Sequence, residues 1–121
     1  MLKLASGSAF AVTAVSLLLG ASAALPFGSG AAHAAQARTQ FVHIRNFAFV
    51  PAVVTVTAGT TVTWTNADDD PHSVVAVAKA FRSPALDTDG RFSFTFIKAG
   101  DYAYFCSLHP HMVGKIIVKA S

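Results

Sequence analysis

From about residue 40 onward, polar and apolar residues alternate in short runs rich in Val, Thr, Phe and Ile. A period of two residues is typical of β-strands that bury one face, and these residue types favour strands. Gly, Pro, Asn and Asp separate the runs and favour turns. The pattern predicts seven strands, at residues 41–45, 53–57, 60–66, 72–78, 91–97, 101–106 and 115–119.

Helical periodicity is weak in this part of the chain, because no run places apolar residues three and four apart over several turns. A single helical turn is expected within 79–86, around the kink at Pro84. Phe92, Phe94 and Phe96 fall on one face of their strand, which should therefore point inward. About seven short strands separated by turns predict an all-β fold, a β-sandwich.

The first 34 residues differ from the rest and are interpreted as a cleaved secretory signal peptide. Lys3 precedes a nearly continuous apolar run at 9–25, and Ala32-His33-Ala34 has the small-x-small pattern of a cleavage site. Cleavage after Ala23 is an alternative, and an uncleaved anchor is a second, although 9–25 is at the short limit for spanning a membrane. The expected mature domain, 35–121, is exported or periplasmic and does not insert into the membrane.

Charge argues against a nucleic-acid partner. The whole chain has a formal net charge of +3, and its lysines and arginines are scattered instead of forming a basic stripe. The sequence contains no glutamate, no Gly-x-Ser-x-Gly elbow and no phosphate-binding glycine loop. We therefore do not expect an enzyme.

The single cysteine is the strongest chemical signal. Cys106 cannot form an intramolecular disulfide, and it opens a run that places Cys106, His109 and Met112 three residues apart. A cysteine sulfur, histidine nitrogens and a weak axial methionine suit copper. His72, which follows Pro71 at the start of a predicted strand, would complete the set. Each residue alone has an ordinary interpretation as a buried cysteine, a surface histidine or a core methionine.

Four further segments make the chain resemble the cupredoxins, and within them the small amicyanin and plastocyanin-like proteins. They read GTTVTWTN, PH, DTDGRFSF and AGDYAYFC, at 59–66, 71–72, 87–94 and 99–106. The resemblance covers essentially the whole mature domain. It implies a Greek-key β-sandwich of seven to eight strands and one copper ion, cycling between Cu(I) and Cu(II), held by His72, Cys106, His109 and Met112. His111 in place of Met112 remains an alternative.

The resemblance also implies supporting contacts around the ligands. Asn66 would tie the strand bearing His72 to the ligand loop near Ser107, and the Ser73 N–H would donate to the Cys106 sulfur. The alternative for Asn66 is an Asx-turn before the three aspartates that follow it.

Two positions depart from the amicyanin pattern. Leu108 stands where proline is common, so this position keeps a backbone N–H that proline would lack. We hypothesise that this N–H donates to the Cys106 sulfur. His111 stands where an aromatic residue is usual and is expected to face solvent. With Pro110 it would contribute to the surface that docks a partner.

The function implied is electron transfer by a small exported blue-copper protein. His109 would be the port for the electron, and a redox protein, either a c-type cytochrome or a dehydrogenase or oxidase, would dock transiently on a monomer. The main alternative is a periplasmic copper carrier or buffer that uses the same ligands.

Overall fold

The computed structural model describes residues 38–121 and the isolated positions 11, 14, 16 and 20. The expected signal peptide and its cleavage site thus lie almost wholly outside the described residues. Within the described part, the structure contains no helix long and apolar enough to cross a membrane.

Residues 38–121 form eight β-strands in two four-stranded sheets, and no helix is present in that range. One sheet has the order β2-β1-β4-β6 and the other β3-β8-β7-β5. The predicted all-β Greek-key sandwich is therefore confirmed. The strands are β1 (Thr39–Arg45), β2 (Ala48–Val50), β3 (Val53–Thr57), β4 (Thr60–Asn66), β5 (Val75–Ala76), β6 (Arg91–Phe96), β7 (Gly100–Phe105) and β8 (Val113–Lys119).

Two details of the predicted strands were wrong. The short strand β2 was missed, because three residues give too little alternation to read. The strand expected at 72–78 is reduced to β5, and the helical turn expected at 79–86 is not formed. Residues 82–86 instead pair antiparallel with residues 72–75. The Leu86 N–H donates to the His72 carbonyl at 2.6 Å, and the Ser83 N–H donates to the Val74 carbonyl at 2.8 Å.

Strand pairing places the two halves of the expected site side by side. β5 pairs antiparallel with β7, so that Val75 lies opposite Phe105. His72 precedes β5 by three residues, and Cys106 directly follows β7. The segment that carries His72 therefore lies beside the end of the strand that leads to Cys106, as the site requires.

Aromatic rings fill the space between the sheets. Trp64 is fully buried at the centre, and its ring contacts Tyr104 with centroids 5.4 Å apart. Phe96 is buried while Phe92 and Phe94 pack half-buried against the core, which confirms the inward face predicted for β6.

Tyr104 packs closely over β8. A Cβ atom at Gly114 would lie only 2.3 Å from the Tyr104 ring, so this position requires glycine. Burial raises the pKa of Tyr104 to about 12, although the neighbouring Trp64 indole opposes the rise. Neither the Tyr104 hydroxyl nor the Trp64 Nε1–H has a well-formed hydrogen bond within the described residues.

Candidate metal centre

Three predicted ligands meet at one end of the sandwich. Donor atoms of His72, Cys106 and His109 all lie within 4.8 Å of one another. The Cys106 Sγ is 3.8 Å from Nδ1 of His72 and 3.8 Å from Nδ1 of His109. His72 and Cys106 are fully buried, whereas His109 is half-buried. The sequence prediction that these residues form one cluster is confirmed.

Two consecutive turns explain why ligands recur at every third residue. The His109 N–H donates to the Cys106 carbonyl at 3.2 Å, and the Met112 N–H donates to the His109 carbonyl at 2.9 Å. A turn of this kind brings its first and fourth residues close together. The loop closes when the Cys106 N–H donates to the Met112 carbonyl at 3.1 Å. The buried Met112 is thereby held directly beside Cys106.

The spacing and chemistry of the donor atoms are those of a copper site and not those of side chains packed in an ordinary core. A single ion bonded to nitrogen and sulfur at ~2.0–2.3 Å spaces neighbouring donors at roughly 3.5–4 Å, as found here. One thiolate, two imidazoles and a thioether form the soft donor set of a blue-copper site. His72, Cys106, His109 and Met112 therefore have the arrangement of a type 1 copper centre.

Ser73 joins the two segments that carry the ligands. Its N–H donates to the Cys106 Sγ at 3.3 Å, as expected from the resemblance. Its Oγ accepts a hydrogen bond from the Ser107 N–H at 2.8 Å and lies 2.7 Å from the Ser107 Oγ. These contacts limit the movement of the sulfur, because they tie the residue that follows it to the segment that carries His72.

Asn66 does not make the contact expected near Ser107. Its Nδ2 donates to the carbonyls of Asp70 and Leu86 at 2.8 and 2.9 Å, and its Oδ1 accepts the Asp68 N–H at 3.0 Å. The last bond is the Asx-turn that was the alternative interpretation. Asn66 is fully buried and organises the segment leading to His72, so the serine pair, and not Asn66, bridges to the ligand loop.

Leu108 also differs from expectation. Within the described residues, the backbone N–H that donates to the Cys106 Sγ comes from Ser73, and none comes from Leu108. Leu108 occupies the third position of the turn from Cys106 to His109, and its side chain is 48% exposed. The Leu108 side chain therefore lies on the outer surface of the loop from Cys106 to Met112.

Asp68 is a site residue that the sequence analysis did not assign to the centre. Its Oδ2 lies 2.8 Å from the His72 Nε2, and its side chain is only 12% exposed. Partial burial acts to raise the pKa of the Asp68 carboxyl, but hydrogen bonds from Phe47, His72 and Asn46 hold that pKa below its usual value. The carboxylate accepts the Nε2–H, which leaves the unprotonated Nδ1 of His72, with its lone pair available to a metal, facing Cys106.

Phe47 is the second residue that sequence reasoning missed. Its ring lies edge-on to the imidazoles of His72 and His109, with centroids 5.2 and 5.1 Å away. An acidic residue four positions before a ligand was a weak signal for Asp68. No local signal pointed to Phe47, since its contacts join residues far apart in the sequence.

The rim of the centre is exposed. Pro110 and His111 face solvent, as expected for His111, and they lie next to the half-buried His109. His111 is not among the residues whose donor atoms cluster, so the alternative in which it replaces Met112 finds no support in the described structure.

Comparison with known proteins agrees with this geometry. The family model described as a cupredoxin-like domain matches residues 11–118. Amicyanin-alpha of Methylorubrum extorquens is 35% identical over 117 residues, covering 92% of this chain and 98% of that protein. Amicyanin of Paracoccus versutus is 39% identical over 83 residues, and the match spans 64% of this chain and 63% of that protein.

Two solved structures are informative. The Cu(I) form of an amicyanin mutant, in which a methionine is replaced by alanine, superposes with a TM-score of 0.64 at 34% identity, covering 67% of this chain and 82% of that one. A copper-containing nitrite reductase of Thermus scotoductus superposes equally well, with a TM-score of 0.64 at 32% identity, but the match covers 67% of this chain and only 22% of the reductase. Fold, ligand geometry and these matches together show that the chain belongs to the cupredoxin family.

Proposed function

We propose that this protein carries single electrons between redox partners through one copper ion held by His72, Cys106, His109 and Met112. The observation that supports the proposal best is the preassembled cluster of one buried thiol and two imidazoles, with the Cys106 Sγ 3.8 Å from both Nδ1 atoms. Copper supplies the one-electron couple. The chain supplies a ligand set that suits both oxidation states.

Rigid support makes such a site suitable for fast transfer. Asp68 orients His72, and Ser73 and Ser107 hold the ligand loop against the segment before β5. Asn66 acts one step further out, because its three hydrogen bonds shape the approach to His72. Ligands held in this way move little when the charge of the site changes, which lowers the barrier to electron transfer.

The partner surface is the exposed rim around His109. Leu108, Pro110 and His111 are exposed there, and His109 is the ligand nearest to solvent. An exposed rim that includes the apolar side chains of Leu108 and Pro110 suits brief contact with a redox protein such as a c-type cytochrome, a dehydrogenase or an oxidase. We infer that the domain at 35–121 does this as an exported, periplasmic monomer after removal of 1–34.

An enzymatic role is less well supported. Within the described residues, His72, Cys106 and His109 form one cluster of metal-binding side chains, and no second cluster accompanies it. The match to a nitrite reductase covers 22% of that protein, so the similarity concerns one part of it. We therefore propose a carrier and not an enzyme.

The decisive experiment is a titration of the purified protein with Cu(II), followed by optical absorption and electron paramagnetic resonance. The expected result is an intense blue band and narrow copper hyperfine splitting that saturate at one equivalent. Cys106→Ser should abolish both. His109→Ala should also abolish both signals, whereas the matched control His43→Ala should leave them unchanged, because His43 is an exposed histidine on β1 outside the cluster.

Reversible cycling separates electron transfer from copper carriage. A carrier of electrons should retain copper through repeated reduction and oxidation in the presence of a Cu(I) chelator. Rapid loss of Cu(I) to the chelator would instead support the copper carrier or buffer. A pale Cu(II) spectrum without the sulfur band would contradict the proposed centre.

A further inference from the structure

Phe47 covers the outer side of the ligand cluster. Its ring stands nearly perpendicular to both imidazoles, at 89° to His72 and 83° to His109. The side chain is 48% exposed, so its other face meets solvent. The ring thus lies between water and both nitrogen ligands.

The backbone that presents Phe47 is unfavourable by itself. Asn46 and Phe47 connect β1 to β2 with φ values of 50° and 57°. Asparagine accepts the left-handed region, but a bulky aromatic residue there is an outlier, because its Cβ crowds the following carbonyl. A conformation of this kind persists when tertiary contacts hold it.

The Asp68 carboxylate provides those contacts. Its Oδ1 accepts the Asn46 N–H at 2.7 Å, and its Oδ2 accepts the Phe47 N–H at 2.9 Å. The same Oδ2 lies 2.8 Å from the His72 Nε2. One side chain therefore binds both residues of the turn, including the strained Phe47, and a ligand imidazole.

We propose that Asp68 latches Phe47 in place as a water-excluding lid over His72 and His109. Asp68 and Phe47 are then positioning residues that work as a unit. The carboxylate orients His72 directly, and through the turn it also sets the ring that shields the centre. This inference rests on the proposed copper function, since the lid matters when the ligands hold the ion.

Working as a unit has a measurable consequence. If loss of Asp68 frees the Phe47 ring from its position, then removing the Phe47 ring as well should change copper retention little. If Asp68 acts only on His72, loss of Phe47 should have the same effect whether or not Asp68 is present. Independent sites are additive and coupled ones are not, so a double-mutant cycle distinguishes the two cases.

The test compares the wild type with Phe47→Ala, Asp68→Ala and the double variant. The rate of copper loss to a chelator is measured together with the midpoint potential and the blue band. We expect each single variant to accelerate loss roughly 10-fold or more, in line with outer contacts at metal sites. In the Asp68→Ala background, Phe47→Ala should add less than about twofold.

The chain offers matched controls. Phe41→Ala removes an exposed phenylalanine from β1, and Asp69→Asn removes the charge of a neighbour of Asp68 that makes none of these contacts. Both should retain copper as the wild type does. Phe47→Leu should keep most of the shielding, and Asp68→Asn serves if the alanine variant does not fold. An equal acceleration by Phe47→Ala in both backgrounds would overturn the latch, as would an equal effect of Phe41→Ala.

A second readout needs no copper. The Asn46 and Phe47 amides lie in an exposed turn, yet both donate to Asp68, so hydrogen exchange should be slow in the wild type and fast in Asp68→Ala. Unprotected exchange in the copper-free wild type would refute the latch. If instead the amides are protected but no blue band forms, the proposed function fails while the latch stands.

Discussion

The ligands come from two segments that are held in different ways. The loop from Cys106 to Met112 is organised by its own backbone, through two consecutive turns and one closing hydrogen bond. The segment from Asn66 to His72 depends on distant partners, among them the Leu86 carbonyl and the amides of the β1–β2 turn. The loop that carries Cys106, His109 and Met112 is thus set by local sequence, whereas the conformation of the segment that carries His72 depends on contacts formed only when the sandwich folds.

The largest effect should come from breaking the distant contacts of the second segment. Asn66→Ala leaves the buried Leu86 carbonyl without its side-chain donor and removes the Asx-turn, so it should lower the free energy of unfolding by about 2–4 kcal/mol. Urea unfolding of the copper-free domain measures this loss.

Thr65→Ala is the control for this change, because Thr65 is half-buried on the same strand and is expected to cost far less. Equal losses from the two variants would mean that the second segment does not depend on Asn66.

Cutting the link between the two segments should have a smaller effect. Ser73→Ala removes the hydroxyl contacts with Ser107 but keeps the N–H bond to the Cys106 sulfur. We expect a loss of about 1–2 kcal/mol in unfolding free energy, together with a shift of the blue band as the sulfur becomes less constrained.

The matched control is Ser93→Ala, which breaks the exposed hydroxyl contact with Thr63. It should leave the spectrum unchanged. An unshifted band in Ser73→Ala would show that the turns alone hold the loop.

Acid should weaken the second segment selectively. The folded-state pKa of Asp68 lies below its ordinary value of 3.8, so its ionised form stabilises the fold above that pH. The contribution is lost as the pH falls from there through the lowered folded-state pKa. The free energy of unfolding of the copper-free wild type should therefore approach that of Asp68→Asn as the pH falls.

Denaturant curves recorded from neutral pH down to about pH 2.5, below the ordinary aspartate pKa, test this. Asp69→Asn is the control and should keep the acid dependence of the wild type. If the wild type and Asp68→Asn lost stability in parallel over the whole range, the carboxylate would have no such role.

The same division explains which predictions from sequence succeeded. Alternation placed most strands, and β3 and β4 have the predicted bounds, because a buried face requires apolar residues at every second position. The run from Cys106 to Met112 could be interpreted because turns act over three residues. The strand expected around His72 was mostly wrong, since the return of residues 81–86 competes for its hydrogen bonds.

By itself, the sequence determined the all-β class, the copper-binding donor set and the loop that carries Cys106, His109 and Met112, because these depend on side-chain period and on short turns. Only the tertiary structure decided which groups surround the ligands. Asp68 reaches His72, Phe47 covers both imidazoles, and Asn66 bonds to Leu86 and not toward Ser107. Apart from the Asp68–His72 pair, these contacts join segments that are far apart in the sequence, and local propensity carries no information about which distant groups will meet once two sheets pack.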